Sequence, residues 1–364
     1  MVTPSRLRLA RERRGLTLTG LAGMSGIGAQ RLSQYENARA VPDEDALRAL
    51  AAALSFPVSF LTGDEVEEIP AEAVAFRALS STSLRKQRAV RSQAALAVEL
   101  NTWLTERLTL PEPDVPTHGY PEPETAAELV RGRWGLGQAP APNTVHLLES
   151  RGVRVFSLDS EHQEVDAFSL WRDGVPYVFL NTAKSGERGR FDAAHELGHL
   201  VMHGRDRALN TPEAEREANR FASALLMPRA DVLARMPSGA QVDQILSARS
   251  MWRVSAMALA HRLHDLALLT GDQYRAACRR LAELGYRSAE PGGIPRETSQ
   301  VLPKVLSALR AQGLPPARLA SALHIPLTEL NTLVFGLALA PHPGGGRSRA
   351  TRRPALRVLP SPAD

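Results

Sequence analysis

His195-Glu196-Leu197-Gly198-His199 decides how this chain is read. Two histidines four apart on a helix project from one face, so both imidazoles reach a single zinc ion at ~2.0–2.1 Å while Glu196 stands beside the position left for water. That layout predicts metal-assisted peptide hydrolysis, with the ion polarising a carbonyl and Glu196 as general base. With 10 His in 364 residues the motif arises by chance in roughly one such chain in fifty, so its surroundings must carry the reading.

Around the motif, Phe191, Ala194, Leu197, Leu200 and Val201 recur at helical spacing and predict an amphipathic helix over about 187–203, stopped by Gly204. A catalytic zinc takes three protein ligands and keeps one position for water, so a third ligand must come from another element. A second helical stretch opens with Glu213, Glu215, Glu217 and Asn219. Glu215 is the choice, because Asn219 lies one turn later on its face and suits a hydrogen bond to a ligand from behind. Glu217 lies about 200° round the helix from Glu215. Glu213 and Glu217 are the reserve ligands. His203 continues the four-residue series and, with Asn219, is a candidate to support the ligands or the transition state; His162 and Tyr177 are weaker candidates. Upstream, residues 152–181 alternate at Val153 and Val155 and run Tyr177-Val178-Phe179-Leu180, with Arg172-Asp173-Gly174 as a turn, which predicts a small antiparallel sheet.

A strand ending in Asn181 comes first, followed by Arg188-x-Arg190-Phe191, Ala194-His195-Glu196-Leu197-Gly198-His199 and Glu215-x-Glu217-Ala218-Asn219-x-Phe221-Ala222 ending in Leu225-Leu226-Met227-Pro228. In that order, over about 125–288, these blocks resemble the ImmA/IrrE family of metallopeptidases. The resemblance implies a thermolysin-like minimal zincin with His195 and His199 as ligands, Glu196 as general base and Glu215 as third ligand. Zinc is the default from ligand type, with manganese as the alternative.

A second activity is written at the start. Leu7, Ala10, Leu16, Leu21, Ala22, Ile27, Leu32, Leu47, Leu50 and Leu54 mark short helices, with Gly26 in a tight turn, and predict a five-helix helix-turn-helix domain. Gly15-Leu16-Thr17, Leu21-Ala22, Gly26-Ile27, Ser33-Gln34-Tyr35-Glu36-Asn37 and Pro57-Val58-Ser59-Phe60-Leu61 resemble the XRE family, relatives of phage repressors and Cro. The resemblance implies a recognition helix over about 28–36 and a structural ion pair between Arg11 and Glu36. Ala29, Gln30, Arg31, Ser33 and Gln34 then face base edges, and Asn37 and Arg39 suit phosphates. Leu18, Gly20 and Gly28 depart from the family's usual Gln, Glu and Ser. Seven Arg against Glu12 and Glu36 in residues 1–40 suit a polyanion, so double-stranded DNA is an expected partner.

The remainder is less explicit. Residues 84–108 are helix-compatible, 111–123 read as a proline-rich hinge, and 255–268 and 273–284 read as two helices closing the metal domain. At an offset of 298, Gly313-Leu314, Leu319-Ala320, Ile325 and Leu330 repeat Gly15-Leu16, Leu21-Ala22, Ile27 and Leu32. A degenerate second copy and an ordinary helical hairpin both fit; without basic residues at Pro326-Leu327-Thr328-Glu329, dimerisation or partner binding suits it better than DNA reading. Past Pro341 the chain reads as a disordered basic tail, with five Arg against Asp364, so the rest of the chain holds only +1 of the net +5.

These readings divide the chain into a helix-turn-helix domain (1–65), a helical connector with hinge (66–124), a metallopeptidase domain (125–288), a C-terminal helical region (289–340) and the tail (341–364). The fold class is multidomain and mostly α, with an α+β core around the motif. Cys278 stands alone and is expected to be a buried thiol. With no long apolar run or secretory leader, the protein is expected in the cytoplasm, away from membranes. Two functions follow: a regulated, DNA-associated metalloendopeptidase acting on a helix-turn-helix repressor or antitoxin-like protein, or an XRE-type DNA-binding regulator whose zincin-like domain senses a ligand or metal and cuts nothing.

Overall fold

The computed structural model describes residues 1–76, 83–117, 122–159, 165–204, 211–287 and 289–338. His162 and the basic tail lie outside them. Five helices open the chain: α1 (Pro4–Arg13), α2 (Leu18–Ser25), α3 (Ala29–Glu36), α4 (Glu44–Leu54) and α5 (Val58–Leu61). Local chemistry sets their ends. Thr17 accepts the Gly20 amide at 3.0 Å and Asp43 the Ala46 amide at 2.8 Å, so α2 and α4 start on side-chain caps, whereas α3 starts on Gly28 with none. Leu7, Leu21, Leu32, Leu50 and Phe60 are fully buried between these helices. Arg11 forks onto Glu36 at 2.6 and 2.8 Å, the ion pair expected there.

Strand β1 (Ala75–Phe76) and the long helix α6 (Leu84–Thr105) lead to α7 (Pro123–Arg133) and α8 (Thr144–Ser150). Of the hinge expected over 111–123, residues 118–121 lie outside the described residues, and residues 111–117 are pinned to the domain. Arg154 donates to the Pro111 carbonyl, the Asp114 amide to the Arg151 carbonyl, and the Trp134 indole to the Asp114 carbonyl. Strands β2 (Arg154–Ser157), β3 (Ala167–Arg172) and β4 (Val175–Leu180) form, with β1, one sheet of order β1-β3-β4-β2.

This sheet is mixed, which corrects the antiparallel expectation: β2 runs parallel to β4. Such a pairing needs a crossover, and β3 supplies it, lying between them in sequence but on the far side of β4 in space. Hairpin β3–β4 turns at Asp173 and Gly174, both in left-handed backbone. Phe168 and Phe179 stack across it at 4.4 Å. Alternation along β3 turns Ser169 to the opposite face, against the motif helix.

That helix is α9 (Gly186–Gly198), started by Ser185 and continued by a π-turn, His199–His203. α10 (Pro212–Leu226) packs along it, capped by Thr211. On the sheet's other side, α6 anchors β2 and β4: Gln93 donates to the Ser157 carbonyl and Asn101 to the Tyr177 hydroxyl. Arg190 in α9 is fully buried. It donates to Glu297 at 2.7 Å and to the carbonyl of Ala141, so the Arg-x-Arg-Phe approach is a strut for the helix.

The chain closes with α11 (Arg229–Arg235), α12 (Val242–Trp252), α13 (Ala256–Asp265), α14 (Gly271–Glu283), α15 (Val301–Ala311), α16 (Pro316–Ala322) and α17 (Leu327–Ala338). Cys278 is half-buried in α14, more open than expected. One face of α17 packs on β2.

Candidate metal centre

α9 presents His195 and His199 one turn apart, and their Nε2 atoms approach to 3.0 Å. Glu215, one turn into α10, brings Oε2 to 3.4 Å from His195 Nε2 and Oε1 to 3.2 Å from His199 Nε2. Two ligands at ~2.0–2.1 Å on a tetrahedral centre stand about 3.3 Å apart, so these separations are those of donors sharing one ion. His195, His199 and Glu215 are also the only His/Cys/Asp/Glu group of this kind among the described residues. Burial alone would raise the Glu215 carboxyl, but hydrogen bonds from both histidines hold it well below the usual carboxylate range.

The reserve glutamates are elsewhere. Glu213 is exposed at the start of α10. Glu217 reaches His203 Nε2 at 3.0 Å, although helical spacing points it away from Glu215. The helix contact explains both positions. Gly198 on α9 meets α10 at Ala218, where a Cβ would lie 3.2 Å from the Ala218 Cα. Glu215 then flanks this line by about 60° on one side and Glu217 by about 100° on the other, so both reach α9 at different heights.

Behind the ligands each histidine has a partner on its other nitrogen. His195 Nδ1 meets Asn219 Oδ1 at 3.2 Å, and His199 Nδ1 meets His203 Nδ1 at 3.0 Å. With Nε2 of His199 committed to an ion, its Nδ1–H donates to His203, which then carries its own proton on Nε2 and donates to Glu217. The π-turn places His203 for this contact: the Gly204 amide bonds the His199 carbonyl five residues back, and Gly204, at φ 54°, ends the helix. Asn219, expected to hydrogen-bond a ligand from behind, meets His195.

Glu196 is fully buried. Ser169 Oγ donates to its Oε2 at 2.7 Å, fixing the carboxylate beside the ligands. Ser169 escaped sequence reasoning, since a serine within a strand carries no motif; its only signal is alternation in a strand that faces the motif helix. Tyr177 is no part of the site. Its hydroxyl accepts from Asn101, and burial pushes its pKa up to about 12. An open cleft of about 910 Å³ starts at Asn219 and runs between α9, α10, α13 and α14, past Phe191, His261 and Tyr274.

The N-terminal domain presents Gln30, Arg31, Asn37 and Arg39 to solvent along and just after α3, with Ala29, Ser33 and Gln34 half-buried beside them. Arg31 lies over the Tyr35 ring and Asn37 donates back to the Ser33 carbonyl at 2.7 Å. The charge expected on this domain is mostly paired within the molecule. Arg6 pairs with Glu99, Arg8 with Glu68, Arg11 with Glu36, Arg13 with Asp159 and Glu329, and Arg14 with Glu329.

No helix among the described residues is long and apolar enough to cross a membrane. Residues 5–61 match the family model of a helix-turn-helix domain, and residues 148–264 match that of the IrrE N-terminal-like domain. No curated protein matches the chain. The two matches, with the helices and sheet that fill them, make this chain a helix-turn-helix domain fused to an ImmA/IrrE-type, protease-like domain.

Proposed function

We propose that the chain is a DNA-associated metalloendopeptidase, zinc-loaded by ligand type, that regulates transcription by cleaving a helix-turn-helix repressor or antitoxin-like protein. The carrying observation is the convergence of His195 Nε2, His199 Nε2 and the Glu215 carboxylate at 3.0–3.4 Å beside a held glutamate. A metal ion bound there supplies Lewis-acid polarisation and activates water. The protein supplies the rest. Glu196 takes the proton of the attacking water and passes it to the leaving amine; Ser169 keeps that carboxylate in one rotamer; Asn219 and the His203–Glu217 pair keep both imidazoles aimed. The exposed residues of α3 bring the enzyme to duplex DNA, where its protein substrate is bound.

The test is co-expression with a repressor encoded beside the gene, comparing wild type with Glu196→Gln and measuring metal in both. Cleavage by wild type alone, at equal metal content, is the expected result. Equal behaviour of two metal-loaded proteins rejects the peptidase. The second reading, a DNA-binding regulator with a non-proteolytic sensor, has one observation of its own: the cleft at Asn219 has the size of a small-molecule site and adjoins the ligand set from outside.

A further inference from the structure

At an offset of 298 residues the last three helices fall on the first three. α15 lies on α1, α16 on α2, and α17 on α3, whose first residues Leu327 and Ala29 coincide. The turns coincide as well. Gly15 and Gly313 share left-handed backbone, at φ 60° and 76°, and so do Gly26 and His324, at 72° and 55°. The amides of Leu16 and Leu314 each bond the carbonyl five residues back, Arg11 and Leu309, at 3.0 and 2.9 Å. Leu7, Leu21 and Leu32 are buried, and so are Val305, Leu319 and Leu330. One exchange is especially informative: the buried ion pair of Arg11 and Glu36 is replaced by Leu309 and Val334, both buried. Both members change together, as they must where a single remaining charge would be left unpaired.

The outward face has changed its chemistry too. At the position of Arg31, exposed on α3, α17 carries Glu329, which is 2% exposed. Glu329 accepts Arg13 Nε at 2.7 Å and Arg14 Nη1 at 2.5 Å, both at the end of α1. Arg13 reaches on to Asp159, just after β2, at 2.7 Å. Farther along α17, the Leu333 carbonyl accepts Ser157 Oγ at 3.0 Å, and at Gly336 a Cβ would stand 2.7 Å from the Ser157 Cβ.

We propose that residues 301–338 are a second helix-turn-helix unit whose reading helix has been turned from nucleic acid to protein. Its ligand is the arginine pair of the first unit. The reversal from Arg31 to Glu329 makes the binding position complementary to cations, while the rest of the helix is seated on β2. The unit therefore clasps the DNA-reading domain onto the sheet that covers the metal helix, and it makes the two domains one body. This inference is independent of whether the chain cuts peptides.

Hydrogen exchange on the full chain tests it. In Glu329→Gln, amides at the end of α1 and along α17 are expected to exchange about tenfold faster or more, with α9 and α10 unchanged. Adding Arg13→Gln is expected to increase this little, because both substitutions break one shared contact. Unchanged exchange at α1, or strictly additive effects, overturns the proposal. Should Glu329→Gln fail to fold, Arg14→Gln decides, since that side chain is partly exposed: faster exchange in α17 supports the clasp and unchanged exchange overturns it.

Discussion

His203 and Glu217 act at the scale of single atoms. They stand outside the group of His195, His199 and Glu215, yet the order of protons from His199 through His203 to Glu217 leaves His199 Nε2 with a free lone pair only in one tautomer. Losing such an outer partner typically weakens metal binding by about 10–100-fold. His203→Ala and Glu217→Ala are therefore expected to lose that much affinity in a competitive chelator titration, while neither removes a ligand; wild-type affinity in both would make the chain of contacts incidental. Ser169→Ala separates base from ligand. For the proposed hydrolysis it is expected to leave the metal Kd unchanged and to lower kcat about tenfold, because the Glu196 carboxylate loses the hydroxyl that orients it. A changed metal Kd would place Ser169 among the supports of the ligands instead.

Between elements, the critical distance is the one from α9 to α10. Gly198 allows it: a Cβ there would stand 3.0 Å from the Phe221 ring and 3.2 Å from the Ala218 backbone. Ala218 cannot yield as a flexible side chain does, so Gly198→Val is expected to push α10 outward and carry Glu215 with it. Overpacking of this kind costs about 1–3 kcal/mol. The expected signature is a lower melting temperature together with weaker metal binding, and a variant that melts lower but binds metal normally would count against the close approach. This contact also explains what could be read in advance. The two histidines and Glu196 follow from four-residue spacing on one helix, and Glu215 could be preferred from Asn219 on its face. The roles of Glu217 and Asn219 depend on where α10 crosses α9, and no spacing within either helix contains that crossing. The parallel pairing of β2 with β4 was hidden for the same reason: alternation marks strands but not their order.

Across the whole molecule, charge is the quantity that sequence arithmetic misjudged. Of the seven arginines in residues 1–40, Arg6, Arg11, Arg13 and Arg14 are turned inward to acids on α3, α6, α17 and the segment after β2, and Arg8 pairs at the surface with Glu68 after α5. Arg31 and Arg39 remain exposed where DNA is expected. A balance of +5 over that segment therefore overstates what DNA would meet, because counterion release counts only cations that reach phosphates. For a chain ending at residue 338, the slope of log K against log salt is expected to be about −2, near −0.9 for each such contact. The five arginines beyond Pro341 should steepen it in the full chain without changing which sequence is preferred. Anisotropy titrations of a duplex between about 50 and 200 mM salt measure both slopes. A slope near −6 for the shortened chain would mean that DNA pulls the inward arginines away from Glu99, Glu36 and Glu329, so that binding opens the interdomain contacts; a slope near −2 means the domain meets DNA with those contacts closed.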